Sequence, residues 1–181
     1  MPPTEVRDQK LTATFTALIA LMKTKRIENI SITELCQKAG VSRSYYYKRF
    51  RSFDDVITQN EILGIIGYIR KLPNQQKISF ETLMTHYFQL VKDNANAQLT
   101  LIAVGKEQVL IKAFKTSNQY LEKKGALYAP KFNSTDNQYR TDFLAGAVVN
   151  MSISWLKGGL IESPEYMGKK VSQFMGHETN F

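Results

Sequence analysis

The chain has 181 residues, 43% apolar and 22% charged, enough for one medium domain or a small domain joined to a larger one. Its 24 Lys and Arg against 16 Asp and Glu leave a net charge of +8, which favours polyanionic partners such as nucleic acid or an acidic membrane surface. One cysteine, Cys36, excludes an internal disulfide framework. No apolar run approaches the roughly 18 residues that a spanning helix needs, and LTATFTALIALM (residues 11–22) runs straight into Lys23 without a small-residue cleavage site. The expectation is a cytoplasmic protein with no membrane partner.

Leu11, Phe15, Leu18, Ile19 and Met22 recur at helical steps and predict a first amphipathic helix with one buried stripe. In ENISITELCQKAG, Ser31 and Glu34 form a capping box. The Ser hydroxyl is expected to accept the N–H three residues on, while the carboxylate reaches back, starting a second helix at about Ile32. Gly40 ends it because glycine enters the left-handed region without steric penalty. Ser42 caps a third helix, Arg43 to Phe50, and Ser52 with Asp55 caps a fourth running toward Arg70. Two short helices joined by a glycine turn describe a helix-turn-helix.

KLPNQQK (residues 71–77) reads as a linker, after which Ser79 caps a helix carrying Phe80, Leu83, Met84, Tyr87, Phe88 and Val91 at helical spacing. Further helices are expected over Ala97 to Val104, Glu107 to Lys124, Asp136 to Lys157 and Pro164 to Met175. No alternating strand or internal repeat competes with them, so the fold class is all-α.

The third helix carries three consecutive tyrosines. Neighbouring side chains diverge by about 100°, so Tyr45, Tyr46 and Tyr47 cannot share a face. Tyr46 and Phe50, four apart, suit a core position against Leu35, Ala39 and the first helix. Arg43, Ser44, Tyr47 and Lys48 fall within about 140° on another face, with Tyr45 and Arg49 on its flanks. From Lys38 to Arg51 there are five basic residues and no acidic one. Such a helix fits the major groove of double-stranded DNA, where arginine grips guanine and a tyrosine meets bases or thymine methyls. Lys48, Arg49, a Tyr45 or Tyr47 hydroxyl, the capping Ser42 and Thr33 at the second helix's start are the candidate positioning contacts.

The stretch ISITELCQKAGVSRSYYYKRFRSFDDVI resembles the DNA-binding domain of the TetR (tetracycline repressor) family of bacterial transcription regulators. The match rests on Ser31, Ile32, Glu34, Ala39, Gly40, Val41, Ser42, Tyr47 and Phe50, within residues 7–67. It implies a three-helix head whose third helix reads DNA, and a helical body that forms a homodimer and often holds a small effector. In the family the position of Tyr46 is apolar and buried, and that of Tyr47 commonly meets DNA. Two residues depart from the pattern: Phe53 stands where a phosphate-binding lysine is common, and Tyr45 where a small residue is usual. The tail FLAGAVVNMSISWLKGGLIESPEYMGKKV is similar to the last two helices of a subgroup that includes regulators near dihydroxyacetone kinase genes. A dimeric four-helix bundle is one arrangement for it and an intramolecular core the other.

No phosphate-cradling glycine loop, no H-E-x-x-H and only His86 and His177 beside one cysteine leave no catalytic set, metal set or cofactor motif. His86, Phe88, Phe114, Tyr120, Phe143, Met151 and Trp155 are the candidates for an effector pocket. The expected organisation is a DNA-binding domain over residues 1–67 and a helical effector-binding and dimerisation domain over 68–181. The function it implies is a repressor that binds a near-palindromic operator as a homodimer and is released by a small effector. Two alternatives stand beside it: an activator or co-regulator whose body binds a partner protein and no metabolite, and a helical enzyme that merely carries a helix-turn-helix-like segment.

Overall fold

The computed structural model describes residues 3–69, 78–125 and 134–176. Nine α-helices lie among them: α1 (Pro3–Met22), α2 (Ile32–Ala39), α3 (Arg43–Arg49), α4 (Phe53–Ile69), α5 (Phe80–Asp93), α6 (Ala95–Ala103), α7 (Glu107–Lys123), α8 (Ser134–Lys157) and α9 (Pro164–Gly176). A short 3-10 turn, Ile27–Asn29, precedes α2. The all-α reading holds. The expected linker at residues 71–77, the end of α4 at Arg70 and His177 lie outside the described residues.

The five apolar positions of the first helix are all buried, but α1 begins at Pro3, well before Leu11. Residues 4–10 are mostly exposed and carry no apolar period, so the stripe marks where the helix packs and misses where it starts. α6 likewise begins at Ala95, directly after Asn94, whose N–H and side-chain amide both turn to the Leu90 carbonyl and end α5.

Caps fix the other starts. Ser31, Ser42, Ser52, Ser79 and Ser163 each accept an N–H three residues on, at 3.0 to 3.2 Å. The reciprocal half of the first capping box is not what was expected: the Glu34 carboxylate accepts from Lys25 Nζ at 2.6 Å, a cation that outbids a backbone amide. Gly40 sits at φ 65°, ψ 32°, and the Val41 N–H returns to the Cys36 carbonyl, the bond pattern of a glycine C-cap.

α1, α2 and α3 pack around Leu18, Leu35, Tyr46 and Phe50. α5 is the spine of the remainder, with α9 laid along it and α7 spanning α4 and α8. Tyr87, Phe88, Phe114 and Trp155 form a ladder of edge-to-face rings at 4.9 to 5.5 Å between centroids. Gly168 on α9 is buried where that helix crosses Thr85 of α5. α4 belongs to both halves, since it packs on α1 on one side and on α5 and α7 on the other. Lys106, ahead of α7, pairs with Asp54 at the start of α4 at 2.8 Å.

Glu61, two turns further along α4, accepts a hydrogen bond from the Gln98 amide of α6 at 2.9 Å, and Tyr87 of α5 lies within its electrostatic reach. Burial pushes its carboxyl up to about 7, with the Gln98 bond offsetting part of the rise. In the unfolded chain the group titrates near 4.5. Between these values the folded chain holds a proton that the unfolded chain has lost, so the contribution is fully present below pH 4.5 and is lost as pH rises through about 7. Glu61→Gln is therefore expected to leave stability near pH 4.5 almost unchanged and to raise it at pH 8 by on the order of 2 kcal/mol. Melting curves of the two proteins across that range check this, and parallel curves would count against a buried charge.

Candidate nucleic-acid interface

α3 is short, and it is oriented by a cap at its start and by a ring cluster behind it. The Ser42 hydroxyl accepts the Tyr45 N–H at 3.0 Å to set its start. Phe50 is extended at its end, with its N–H still bonded to the Tyr46 carbonyl at 2.8 Å. Tyr46 and Phe50 are buried as expected, with ring centroids 5.5 Å apart, and Phe53 closes the cluster 6.4 Å from Tyr46. Phe53, set where a lysine is common, thus serves as a buttress. Burial pushes the Tyr46 hydroxyl up to about 12, as suits a ring that never ionises.

In front of this cluster Ser42, Arg43, Ser44, Tyr47, Lys48 and Arg49 are all exposed, and so is Thr33 on α2. Tyr47 keeps 58% of its surface, a large fraction for an aromatic ring. The Arg43 guanidinium stands over that ring, 6.0 Å from its centroid, the four-residue spacing stacking cation on aromatic. The face is cationic, aromatic and rich in hydroxyls, and no acidic side chain breaks it.

Tyr45 departs from the expectation. Its ring packs edge-on against Phe50 at 5.8 Å, Lys10 of α1 covers it at 5.5 Å, and its hydroxyl oxygen is buried. Burial raises its hydroxyl from the ordinary value, while Arg49 and Arg7 pull the other way. A ring too large for a usual small position has turned inward against α1, which takes its hydroxyl off the outward face. Helical spacing alone put it on the flank and could not show which way the flank leaned.

The seven pocket candidates do not line one common cavity. Phe88, Phe114 and Trp155 are core rings, Tyr120 and Phe143 are exposed, and Phe143 keeps 63% of its surface. Met151 and Trp155 instead line an open groove of about 600 Å³ between α8 and α9. One internal cavity among the described residues, beside Ile65, Met84, Tyr87, Phe114, Ser117 and Asn118, measures about 10 Å³. His86 is partly buried on α5 and is not among the residues lining either space. Among the described residues no His, Cys, Asp and Glu group could hold a metal, and no helix is long and apolar enough to cross a membrane.

A capped pair of short helices, a buried ring cluster and an outward cationic face define a helix-turn-helix protein with a helical body. Residues 79–177 match a family model described as the C-terminal region of a transcriptional regulator, of TetR type. The chain belongs to the TetR family of transcriptional regulators. Its fold is similar to that of the dihydroxyacetone kinase operon activator DhaS, with a TM-score of 0.57 at 14% identity over 93% of this chain and 95% of that one. It is also similar to Lin0861 from Listeria innocua, with a TM-score of 0.69 at 14% identity over 99% of this chain and 95% of that one. Comparison with curated protein sequences gives no match.

Proposed function

We propose that the protein is a cytoplasmic repressor that binds a near-palindromic double-stranded DNA operator as a homodimer, through two copies of α3. The carrying observation is the exposed, acid-free cationic face of α3, backed by buried rings that hold it at one angle. Arg43, Tyr47 and Ser44 read base edges, and Thr33, Ser42, Lys48 and Arg49 position the head on phosphates. Residues 1–67 act as the DNA-binding domain and 68–181 as the dimerisation and effector domain, with α4 running through the boundary to Ile69.

The dimer uses the outer face of α8, where Tyr139, Phe143, Asn150 and Ser154 are exposed, and the open groove next to it, which Ile161 of the turn into α9 also lines. A second copy related by a two-fold axis brings the same mixed aromatic and polar face to the same groove. Effector binding changes the separation of the two heads, which must match successive major grooves about 34 Å apart or a multiple of it.

Selection of duplexes from a random pool by the intact chain, followed by titration in rising salt, tests this reading, and a two-fold motif is the expected product. On that duplex Arg43→Ala is expected to lower discrimination by about 1–3 kcal/mol. Lys48→Ala is expected to weaken all duplexes alike and to reduce the salt slope by about 1 per head. Equal loss on every sequence for Arg43→Ala would remove it from the base-reading set.

One observation favours a second reading, in which the body of an activator or co-regulator binds a partner protein and no metabolite. The cavity beside Tyr87 and Phe114, at about 10 Å³, is too small for a metabolite. A metabolite that raises the melting temperature of the intact chain would decide for the effector, since only binding to the folded state does so.

A further inference from the structure

The break between α3 and α4 is fastened on both sides by α4. Beyond the end of a helix the last carbonyls have no helical partner. Here the Arg49 carbonyl accepts from Gln59 Nε2 at 3.2 Å, and the same nitrogen donates to Asp55 Oδ1 at 2.9 Å. The other carboxylate oxygen, Asp55 Oδ2, accepts the Arg51 N–H at 3.1 Å, and the Asp55 N–H itself rests on Ser52 Oγ at 3.2 Å. The carbonyl before Phe50 and the N–H after it are therefore held by two side chains one turn apart on α4. With Phe50 locked in the core, no free hinge remains at the point where α3 leaves α4.

The orientation of the Gln59 amide is forced. Turned over, its oxygen would face two acceptors, and a carboxamide has donors on nitrogen alone. As placed, Gln59 Oε1 is buried without a hydrogen-bond partner, which costs stability that a leucine of similar size would not incur. What the amide supplies in return is the pair of bonds from its nitrogen to the end of α3.

We propose that Gln59 and Asp55 are positioning residues that fix the angle of α3, so that they determine which bases Arg43 and Tyr47 reach from a place on α4 behind the contact face. This rests on the DNA-binding reading above, and the clamp belongs to the chain's own geometry whichever operator is read.

The experiment uses the intact chain, the duplex that the wild-type protein recovers from a random pool, and a scrambled duplex of equal length. Gln59→Leu keeps the volume and removes both bonds. It is expected to cut the ratio of selected to scrambled affinity about tenfold, the weight of one good base contact. Affinity for the scrambled duplex and the salt slope should stay at wild-type values, because the phosphate contacts are untouched. Asp55→Asn removes one acceptor and leaves the shape, so it should lose about threefold by the same measure, and it serves if Gln59→Leu fails to fold. Full discrimination in both variants, or parallel loss on both duplexes, would overturn the proposal and leave ordinary stabilisation of the turn. Recovery of no duplex by the wild-type chain would instead overturn the DNA-binding reading, and the clamp's role with it.

Discussion

Gly168→Ala is expected to lower the stability of the chain by about 3 kcal/mol, the upper end of what forced overpacking costs. A Cβ at this position would stand 2.6 Å from the Thr85 backbone nitrogen and 2.8 Å from its Cα. Neither atom can step aside as a side chain could, so α9 as a whole must lift from α5. The neighbours on the same buried face, Met167 and Val171, would lose their packing together. Urea unfolding measures it: the midpoint should fall while the slope is retained. Gly67→Ala on α4 is the matched control, because an added methyl there meets nothing within 4 Å and helix propensity favours alanine by about 1 kcal/mol. A Gly168→Ala chain as stable as its parent would mean that α9 does not lie against α5 as described.

The adjacent tyrosines of α3 are expected to give opposite phenotypes. Tyr46→Ala removes a ring that is 2% exposed and wedged between Phe50 and Phe53, which should cost about 4 kcal/mol, as large-to-small core changes do. DNA binding would be lost as a by-product of a disordered head. Tyr47→Ala removes a ring that contacts Arg43 from outside, so stability should change by no more than about 0.5 kcal/mol. Affinity for the selected duplex should nevertheless fall, since the guanidinium loses the surface that steadies it. Thermal melts and duplex titrations on both variants separate the cases, and similar melting temperatures for the two would contradict one inward and one outward ring.

The head was legible because each signal there is local. A serine three residues before an N–H, a glycine at the end of a helix and an i, i+4 pair of rings are decided within one or two turns, and Ser42, Gly40, Tyr46 and Phe50 sit where those rules put them. Tyr45 was illegible because its place depends on Lys10, thirty-five positions away. Gln59 and Asp55 escaped for a related reason. Asp55 was visible as part of a cap, but its bond to the Arg51 N–H and its partnership with Gln59 exist only once the chain has turned between α3 and α4. The same holds for Glu61, which looks like any polar residue of a helix until Gln98 is brought to it. In the body, aromatic residues announced a core yet gave no hint that Phe114 and Phe143 would lie one inside and one outside, because a ring suits either setting.

That α4 is shared has a further bearing on how such a molecule can diversify. A helix claimed by two packing arrangements transmits any repacking of one to the other, so inward substitutions under α3 would disturb the body as well. If the head reads DNA as proposed, variation in what it prefers falls to the few outward side chains and to the Asp55 and Gln59 clamp behind them, while the core of the joint stays rigid.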